Sequence, residues 1–339
     1  LRIAVDAMGG DHAPLVNVDG AVAAAREFGI ASLLVGRASE LSRLLADSGY
    51  RGDEIEIVDA PEVVEMDEPA TAAIRKKRNS SIRIAANCVR DGRAGGLVSA
   101  GHTGAAMVSA KMVVGTIEGV DRPALAAIVP NLTGHCLLLD VGANPDAKTS
   151  HFKEFAVMGS MYAELAFGRR NPSIGLMSIG EEDTKGTDRT KEVFKILKET
   201  GLNFIGNVEG RDVFSGTVDV IVTDGFTGNV ILKVSESLSE MVEKLLREEI
   251  KRTLQASVGF LLSRAAFRRF RQRLDYSEYG GAPLLGVKGC VIICHGRSSA
   301  KAIKNAIRFA AEFSRQNLAE KIQAKIAELH AREERVAKV

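Results

Sequence analysis

The stretch "RIAVDAMGGDHAP", residues 2–14, decides how the rest of the chain is read. It begins as a short β-rich apolar run ending at Asp6, turns through Gly9, Gly10, Asp11 and His12, and reaches a proline that opens a helical pattern. Strand, glycine-rich turn and helix in that order form the repeating unit of a parallel sheet. The same rhythm continues through "SLLVG", "EIEIV", "GLVSA", "LAAIVP", "CLLLDVG", "IGLMS", "VDVIVTD" and "CVIICHG". Strands covered on both faces read as unbroken apolar runs, as these do, and amphipathic segments such as "HFKEFAVMGSMYAELAFG" separate most of them. The pattern predicts one α/β body over residues 1–339, a three-layer α/β/α sandwich with a largely parallel sheet. There is no repeat of solenoid period and no low-complexity linker.

Bulk composition supports a folded globule: 45% of the 339 residues are hydrophobic and 26% charged. A net charge of +2 gives no reason to expect a nucleic-acid partner. The charge is unevenly placed, because residues 244–273 hold nine Lys/Arg against Glu248 and Glu249, which is +7 and leaves −5 elsewhere. Cys88, Cys136, Cys290 and Cys294 lie in apolar runs and read as reduced, buried thiols. No charged and apolar leader pattern opens the chain, and no run approaches the roughly 20 apolar residues of a spanning helix. The expectation is a cytoplasmic protein.

Two helical segments depart from the α/β rhythm. Residues 298–337 read as a long charged outer helix. Residues 235–274 read as a helical hairpin inserted in the body, with its tip near 255–262. Its first arm carries Leu238, Met241, Val242, Leu245, Ile250 and Leu254 at helical spacing, and its second arm Phe260, Phe267, Phe270 and Leu274.

In open α/β sheets ligands bind beyond the carboxyl ends of the strands. Five turns there are rich in Gly, Asp, His and Asn. The first holds Asp6, Gly9, Gly10, Asp11 and His12; the second, "SAGHTGA", holds Gly101, His102, Thr103 and Gly104. Glycines let backbone N–H groups approach an anion, and a helix N-terminus favours negative charge. The third, "DVGAN", offers Asp140 and Asn144; the fourth, "GEEDTKGT", offers Glu182, Lys185 and Thr187; the fifth, "TDGFTGN", offers Asp224 and Asn229. Any one alone reads as readily as a surface turn, but five converging on one sheet edge would make a site. The fourth resembles a phosphate loop with its Lys before the Gly, which is the wrong order for nucleotide binding. No GxGxxG, HExxH or GxSxG occurs, and the six histidines lack metal-ligand spacing. Pattern alone therefore stops at an α/β enzyme that binds a small anion.

Taken together, these five motifs, with "YGGAPLLGVKG" and "CHGRS", resemble the phosphate acyltransferase (PlsX) family of bacterial phospholipid synthesis. The resemblance runs in order from Arg2 to about Phe313. It implies a Rossmann-like fold similar to that of the isocitrate and isopropylmalate dehydrogenases, and a homodimer. It implies transfer of a fatty acyl group from acyl carrier protein to inorganic phosphate, and a membrane glycerol-3-phosphate acyltransferase downstream. No cofactor or metal is expected.

The residues suit that reaction. A phosphate whose second ionisation lies near pH ~6 is already largely dianionic, and a thiol of pKa roughly 8.5 leaves readily, so neither strong base nor strong acid is required. A cation and a fixed donor suffice, and Lys185 with Asn229 form that expected pair, as the resemblance also suggests. An exposed loop lysine and a helix cap are the plain alternatives. Backbone N–H groups around Gly9, Gly10 and Gly101 to Gly104 would cradle phosphate, with Asp6, Asp11 and Asp224 orienting His12, His102 or Lys185. At the hairpin, Val258, Phe260, Leu261 and Leu262 with Arg264, Arg268 and Arg269 suit an anionic membrane surface or the acidic carrier protein. A dimer contact and ordinary core remain open for the same residues. Rival readings are a decarboxylating dehydrogenase, a short-chain phosphotransacetylase and a non-catalytic scaffold.

Overall fold

The computed structural model describes residues 1–274, 278 and 280–336. Tyr279 of the "YGG" motif, and the side chain of Leu274 that was read into the hairpin, lie outside the described residues.

The elements run β1 (Arg2–Asp6), α1 (Leu15–Phe28), β2 (Ala31–Gly36), α2 (Ala38–Asp47), β3 (Ile55–Asp59), α3 (Ala70–Lys76) and α4 (Ser81–Arg90). Next come β4 (Gly96–Ser99), α5 (Thr103–Ser109) with a π-helical continuation (Ala110–Val114), β5 (Ala124–Asn131), β6 (Gly134–Leu139) and α6 (Thr149–Phe167). They continue as β7 (Ile174–Met177), α7 (Asp188–Glu199), β8 (Phe204–Val208), α8 (Asp212–Ser215), β9 (Val220–Val222) and α9 (Gly225–Arg252). Last are α10 (Leu254–Leu262), α11 (Arg264–Leu274), β10 (Ala282–Leu285), β11 (Cys290–Ile293), α12 (Ala300–Arg315) and α13 (Leu318–Val336).

The eleven strands of the described residues form one sheet in the order β3-β2-β1-β4-β11-β10-β5-β6-β9-β7-β8. Alternation along each strand divides the core. Ala4, Leu97, Leu138 and Ile221 face one apolar cluster, under α3, α4, α5 and part of α9. On the other face, Leu137, Leu139 and Val220 pack with α6, α7 and α13, and Ile3, Val5 and Val98 with α1 and α12. A helical layer therefore covers each face, giving the three-layer α/β/α sandwich, and the continuous apolar strands follow from burial on both sides. Tyr162 of α6 meets Phe313 of α12 at 4.9 Å between ring centroids, joining two helices of that second face.

Direction along the sheet matters most for function. β3, β2, β1, β4 and β11 are mutually parallel, and so are β6, β9, β7 and β8. Between the blocks, β10 is antiparallel to both β11 and β5, and β5 is antiparallel to β6. The two parallel blocks consequently run in opposite directions. They are also staggered. β10 pairs its first half with the end of β11 (Ala282 opposite Ile293) and its second half with the start of β5 (Leu285 opposite Ala124). Leu139, the end of β6, stands opposite Ala126. The ends of β11 and β6 thus lie within about one residue of the same level, and three strand spacings of ~4.8 Å apart, at a waist in the sheet.

Two strands are additions to the sequence reading. β8 was hidden by Gly206, which adopts φ +109°, and by the polar Asn207; β10 is four residues long and contains Pro283. Polar and glycine-broken runs lack the apolar continuity on which strand recognition rests. The hairpin also differs. α9 begins at Gly225, ten residues before the expected start, because the Gly-rich "GFTG" is already helical. Thr253 leaves the helical region (φ −133°, ψ 150°) and its side chain accepts a hydrogen bond from Ala256 N, so the expected tip is itself a helix, α10.

Candidate active site

The carboxyl ends of β1 and β4 hold the first two turns. Asp6 is 3% exposed, and its Oδ2 accepts a hydrogen bond from Ser99 Oγ at 2.7 Å. Burial raises its pKa, opposed by the hydroxyls of Ser81 and Ser99. Gly9 and Gly101 are in direct backbone contact: a Cβ on Gly9 would stand 2.7 Å from Gly101 N and 2.7 Å from Asp6 Oδ2. Their own N–H groups donate inward, Gly9 to Asp6 O and Gly101 to Ser99 Oγ. These glycines permit close packing of two turns, so neither N–H is free to cradle phosphate. Gly10, with φ +112°, sits against Gly296 O, and Asp11 N donates to the same carbonyl at 2.8 Å. His102 caps α5, accepting from Ala105 N through Nδ1, while its Nε2 meets Glu68 O at 3.1 Å. Thr103 and His12 are exposed, and Gly104 is half-buried.

The third and fifth turns, at the ends of β6 and β9, lock together. Asp140 is fully buried, and five donors converge on its carboxylate: the N–H groups of Leu125, Gly142, Ala143 and Asn144, and Asn144 Nδ2. Burial still raises its pKa, against the pull of those bonds. Gly225 N donates to Asn144 O at 2.9 Å, and a Cβ on Gly228 would lie 1.9 Å from Asp140 O. Only glycine lets the first turn of α9 approach so closely. Asp224 caps that helix, accepting from Thr227 N (2.8 Å) and Thr227 Oγ1 (2.9 Å). Asn229 follows within the first turn, exposed and beside Gly142.

Lys185 stands on the fourth turn, at the end of β7, the strand next to β9. It is exposed and has no ion-pair partner among the described residues. Lys185 N donates to Glu182 O at 2.9 Å. Its side-chain stem lies over Gly180, where a Cβ would come within 3.0 Å of Lys185 Cγ. Thr187 caps α7, accepting from Thr190 N.

The structure thus brings Lys185 and Asn229 to neighbouring strand ends of one block and holds them there. Asp6, Gly9, Gly10, Asp11, His12 and residues 101–104 gather on the other block. The expectation that all five turns share one sheet edge is corrected in one respect: the blocks run oppositely, so the two groups of turns lie on opposite edges and meet at the waist, where the ends of β11 and β6 stand at nearly the same level. The orienting role expected of the aspartates is also corrected. Asp6 serves Ser99, Asp224 serves Thr227 and Asp11 N the Gly296 carbonyl; no hydrogen bond or ion pair among the described residues joins these carboxylates to His12, His102 or Lys185. The sequence reading passed over Ser99 and Asn207. A lone serine inside an apolar run and an asparagine in an unrecognised strand carry no signal of their own.

At the hairpin, α9 buries only Gly225 and Gly228 along its 28 residues, and α10 buries none. Leu262 is 83% and Leu261 65% exposed, with Val258 also exposed. Phe260 is turned in against Phe267, at 4.9 Å between centroids, so it leaves the exposed set, and Leu254 joins it. Arg264, Arg268 and Arg269 are exposed. The ordinary-core alternative for this segment is excluded. No described helix is long and apolar enough to cross a membrane. Cys88, Cys136, Cys290 and Cys294 are free thiols, and burial holds their pKa values up, to about 12 for Cys290 and Cys294.

The same arrangement occurs in solved structures. A phosphotransacetylase from Streptococcus pyogenes superposes with a TM-score of 0.66 at 17% identity, covering 93% of this chain and 94% of that one. A 4-hydroxythreonine-4-phosphate dehydrogenase from Klebsiella pneumoniae gives 0.54 at 13% identity, covering 95% and 99%. These likenesses define the class of fold, an α/β sandwich shared by acyl-transferring and dehydrogenase enzymes. Sequence narrows it. The family described as "Fatty acid synthesis protein" matches residues 1–321. A phosphate acyltransferase from Geotalea uraniireducens is 53% identical over 327 residues, covering 95% of this chain and 94% of that protein. Another, from Trichlorobacter lovleyi, is 51% identical over 328 residues, covering 97% and 95%. The chain belongs to the phosphate acyltransferase family and is an acyltransferase of fatty acid synthesis.

Proposed function

We propose that this acyltransferase moves a long-chain fatty acyl group from acyl carrier protein to inorganic phosphate, and that Lys185 and Asn229 form its reacting centre. The observation that carries the reading is their placement. An ammonium group without an acidic partner among the described residues and an exposed carboxamide sit on neighbouring strand-end turns, each braced from beneath by close glycine contacts. A phosphate oxygen attacks the thioester carbonyl carbon, the C–S bond breaks, and the departing thiolate takes up a proton. Lys185 holds the phosphate dianion, and Asn229 donates through its amide to the oxygen that becomes negative. One such donor contributes about 2.7–4 kcal/mol to the transition state. The scheme requires no metal or cofactor.

The whole chain works in this reading as a single α/β/α body with the hairpin projecting from it, in the cytoplasm and against the inner face of the cell membrane. The exposed stripe Phe226, Val230, Val234, Leu238, Met241 and Leu245 on α9 supports a homodimer. Leu254, Val258, Leu261 and Leu262 face lipid, each contributing roughly 1.5–3 kcal/mol if buried there. Arg264, Arg268 and Arg269 meet anionic headgroups at about 1 kcal/mol each, or the acidic carrier protein. The acyl phosphate passes to a membrane glycerol-3-phosphate acyltransferase in phospholipid synthesis.

The test is thiol release from palmitoyl-acyl carrier protein, with and without inorganic phosphate. Release that depends on phosphate and falls about 10²–10³-fold in Lys185→Ala supports the reading. Phosphate-independent release would make the protein a thioesterase. For the hairpin, the Leu261→Ser/Leu262→Ser variant is expected to lose flotation with vesicles containing anionic phospholipid while retaining thiol release in solution. Unchanged flotation would remove lipid contact from the scheme.

A further inference from the structure

Beneath the Lys185 turn lies a polar residue that the chemistry above does not use. Asn207 is the fourth residue of β8 and is 6% exposed. Its Nδ2 donates to Glu182 O at 2.9 Å, and that same carbonyl accepts the Lys185 N–H, also at 2.9 Å. One oxygen therefore ties the backbone of the lysine to a side chain anchored in the sheet. Asn207 Oδ1 is buried without a partner, and so is Ser178 Oγ at the end of the adjoining strand β7. Asn207 pairs with Leu176 in the parallel register, and Ser178 is two residues beyond Leu176, so the two groups share a face. Gly186, at φ +96°, closes the turn directly above, where a Cβ would lie 3.0 Å from Ser178 Oγ. Fully buried polar groups that lack partners are uncommon, and one with a single bond into a functional turn calls for a role.

We infer that Asn207 is a positioning residue for Lys185, holding the 182–185 turn so that the ammonium group meets phosphate. This rests on the reading of Lys185 as the cation of the reacting centre. Asn207 touches neither phosphate nor acyl group; it acts through the Glu182 carbonyl. Leucine at 207 keeps the volume and removes the donor. Aspartate abolishes the bond when ionised, because two acceptor oxygens then face each other, and restores a donor when protonated.

The experiment measures kcat and the KM values for phosphate and acyl-acyl carrier protein in Asn207→Leu, Asn207→Asp, Lys185→Ala and the Asn207→Leu/Lys185→Ala pair, with Tm for each. A misplacement of about 1 Å costs on the order of 10²-fold. Asn207→Leu is accordingly expected to lose about 10- to 100-fold in kcat, with KM for the acyl donor within about twofold. Asn207→Asp is expected to lose as much at pH 8 and to recover toward the wild-type rate as pH falls and the carboxyl becomes a donor. In the Lys185→Ala background, Asn207→Leu is expected to have no further effect. If Lys185→Ala keeps the wild-type rate, the reading of the reacting centre fails. If Lys185→Ala collapses but Asn207→Leu multiplies the loss undiminished, the positioning role fails. Should Asn207→Leu not fold, the pH profile of Asn207→Asp decides, and a profile parallel to wild type overturns the inference.

Discussion

The two strand blocks end in turns of similar composition that are built to different ends. At β1 and β4, Gly9 and Gly101 press two turns together, and their N–H groups are engaged within the turns themselves. At β6 and β9 the glycines press backbone against backbone beneath, at β7 they lie against side chains, and Asn229 and Lys185 are left outward and accessible. The buried aspartates repeat the contrast. Asp140 takes five donors, whereas Asp6 Oδ1 has no partner. A glycine-rich strand end is thus a statement about close approach, and whether it serves a ligand depends on which donors remain after the turn has satisfied itself.

The largest expected effect is at Gly228. Its added Cβ would meet Asp140 O at 1.9 Å, a backbone atom that cannot swing away. Gly228→Ala is expected to cost on the order of 4 kcal/mol in denaturant unfolding and to abolish thiol release by displacing Asn229. Gly9→Ala, at 2.7 Å from Gly101 N, is expected to destabilise less and to leave kcat nearer wild type. Equal loss of kcat in the two would break the comparison and bring the first block into the reacting centre.

Next in size is Asp140→Asn, which points an amide donor at groups that are themselves donors. About 3 kcal/mol is expected, read by the same unfolding assay. The smallest effect belongs to Asp6→Asn, about 1 kcal/mol near neutral pH. Its signature is pH dependence. Burial raises the folded pKa of Asp6, so the folded state binds its proton more tightly than the unfolded chain does. That contribution to stability is complete below the ordinary carboxylate value near ~4 and is lost as pH rises through the higher folded value. Asp6→Asn is expected to remove this part of the slope. A slope that persists unchanged would assign it to Asp140 or to Glu154, which burial shifts in the same direction.

Much of this was legible in sequence. Nine of the eleven strands among the described residues announced themselves as apolar runs because both sheet faces are covered, and the turns that bear Lys185 and Asn229 stood out by composition. Strand direction did not. The reversal between blocks comes at the antiparallel β5–β6 pair, because β10 is antiparallel to both of its neighbours and leaves β11 and β5 running the same way. β10 itself, four residues long with Pro283 and behind two glycines, is too short and too broken to read as a strand, and with β5 and β6 taken as parallel the five turns appear to share an edge. Asn207 was invisible for a related reason, since β8 lacks the apolar continuity of its neighbours. The helical character of this segment was legible from its apolar spacing, but its start was misplaced, because glycine argues against helix unless a neighbouring backbone requires the approach.

The unbroken run of α9 has a mechanical consequence. Its 28 residues span about 42 Å from the turn that holds Asn229 to the break at Thr253. A stiff rod gripped at its far end swings most there and least at its pivot. Here the pivot is the Asp224 cap and the Gly228–Asp140 contact, one residue from Asn229. The fulcrum and the carboxamide therefore coincide, so a swing of the distal helices leaves the amide hardly shifted.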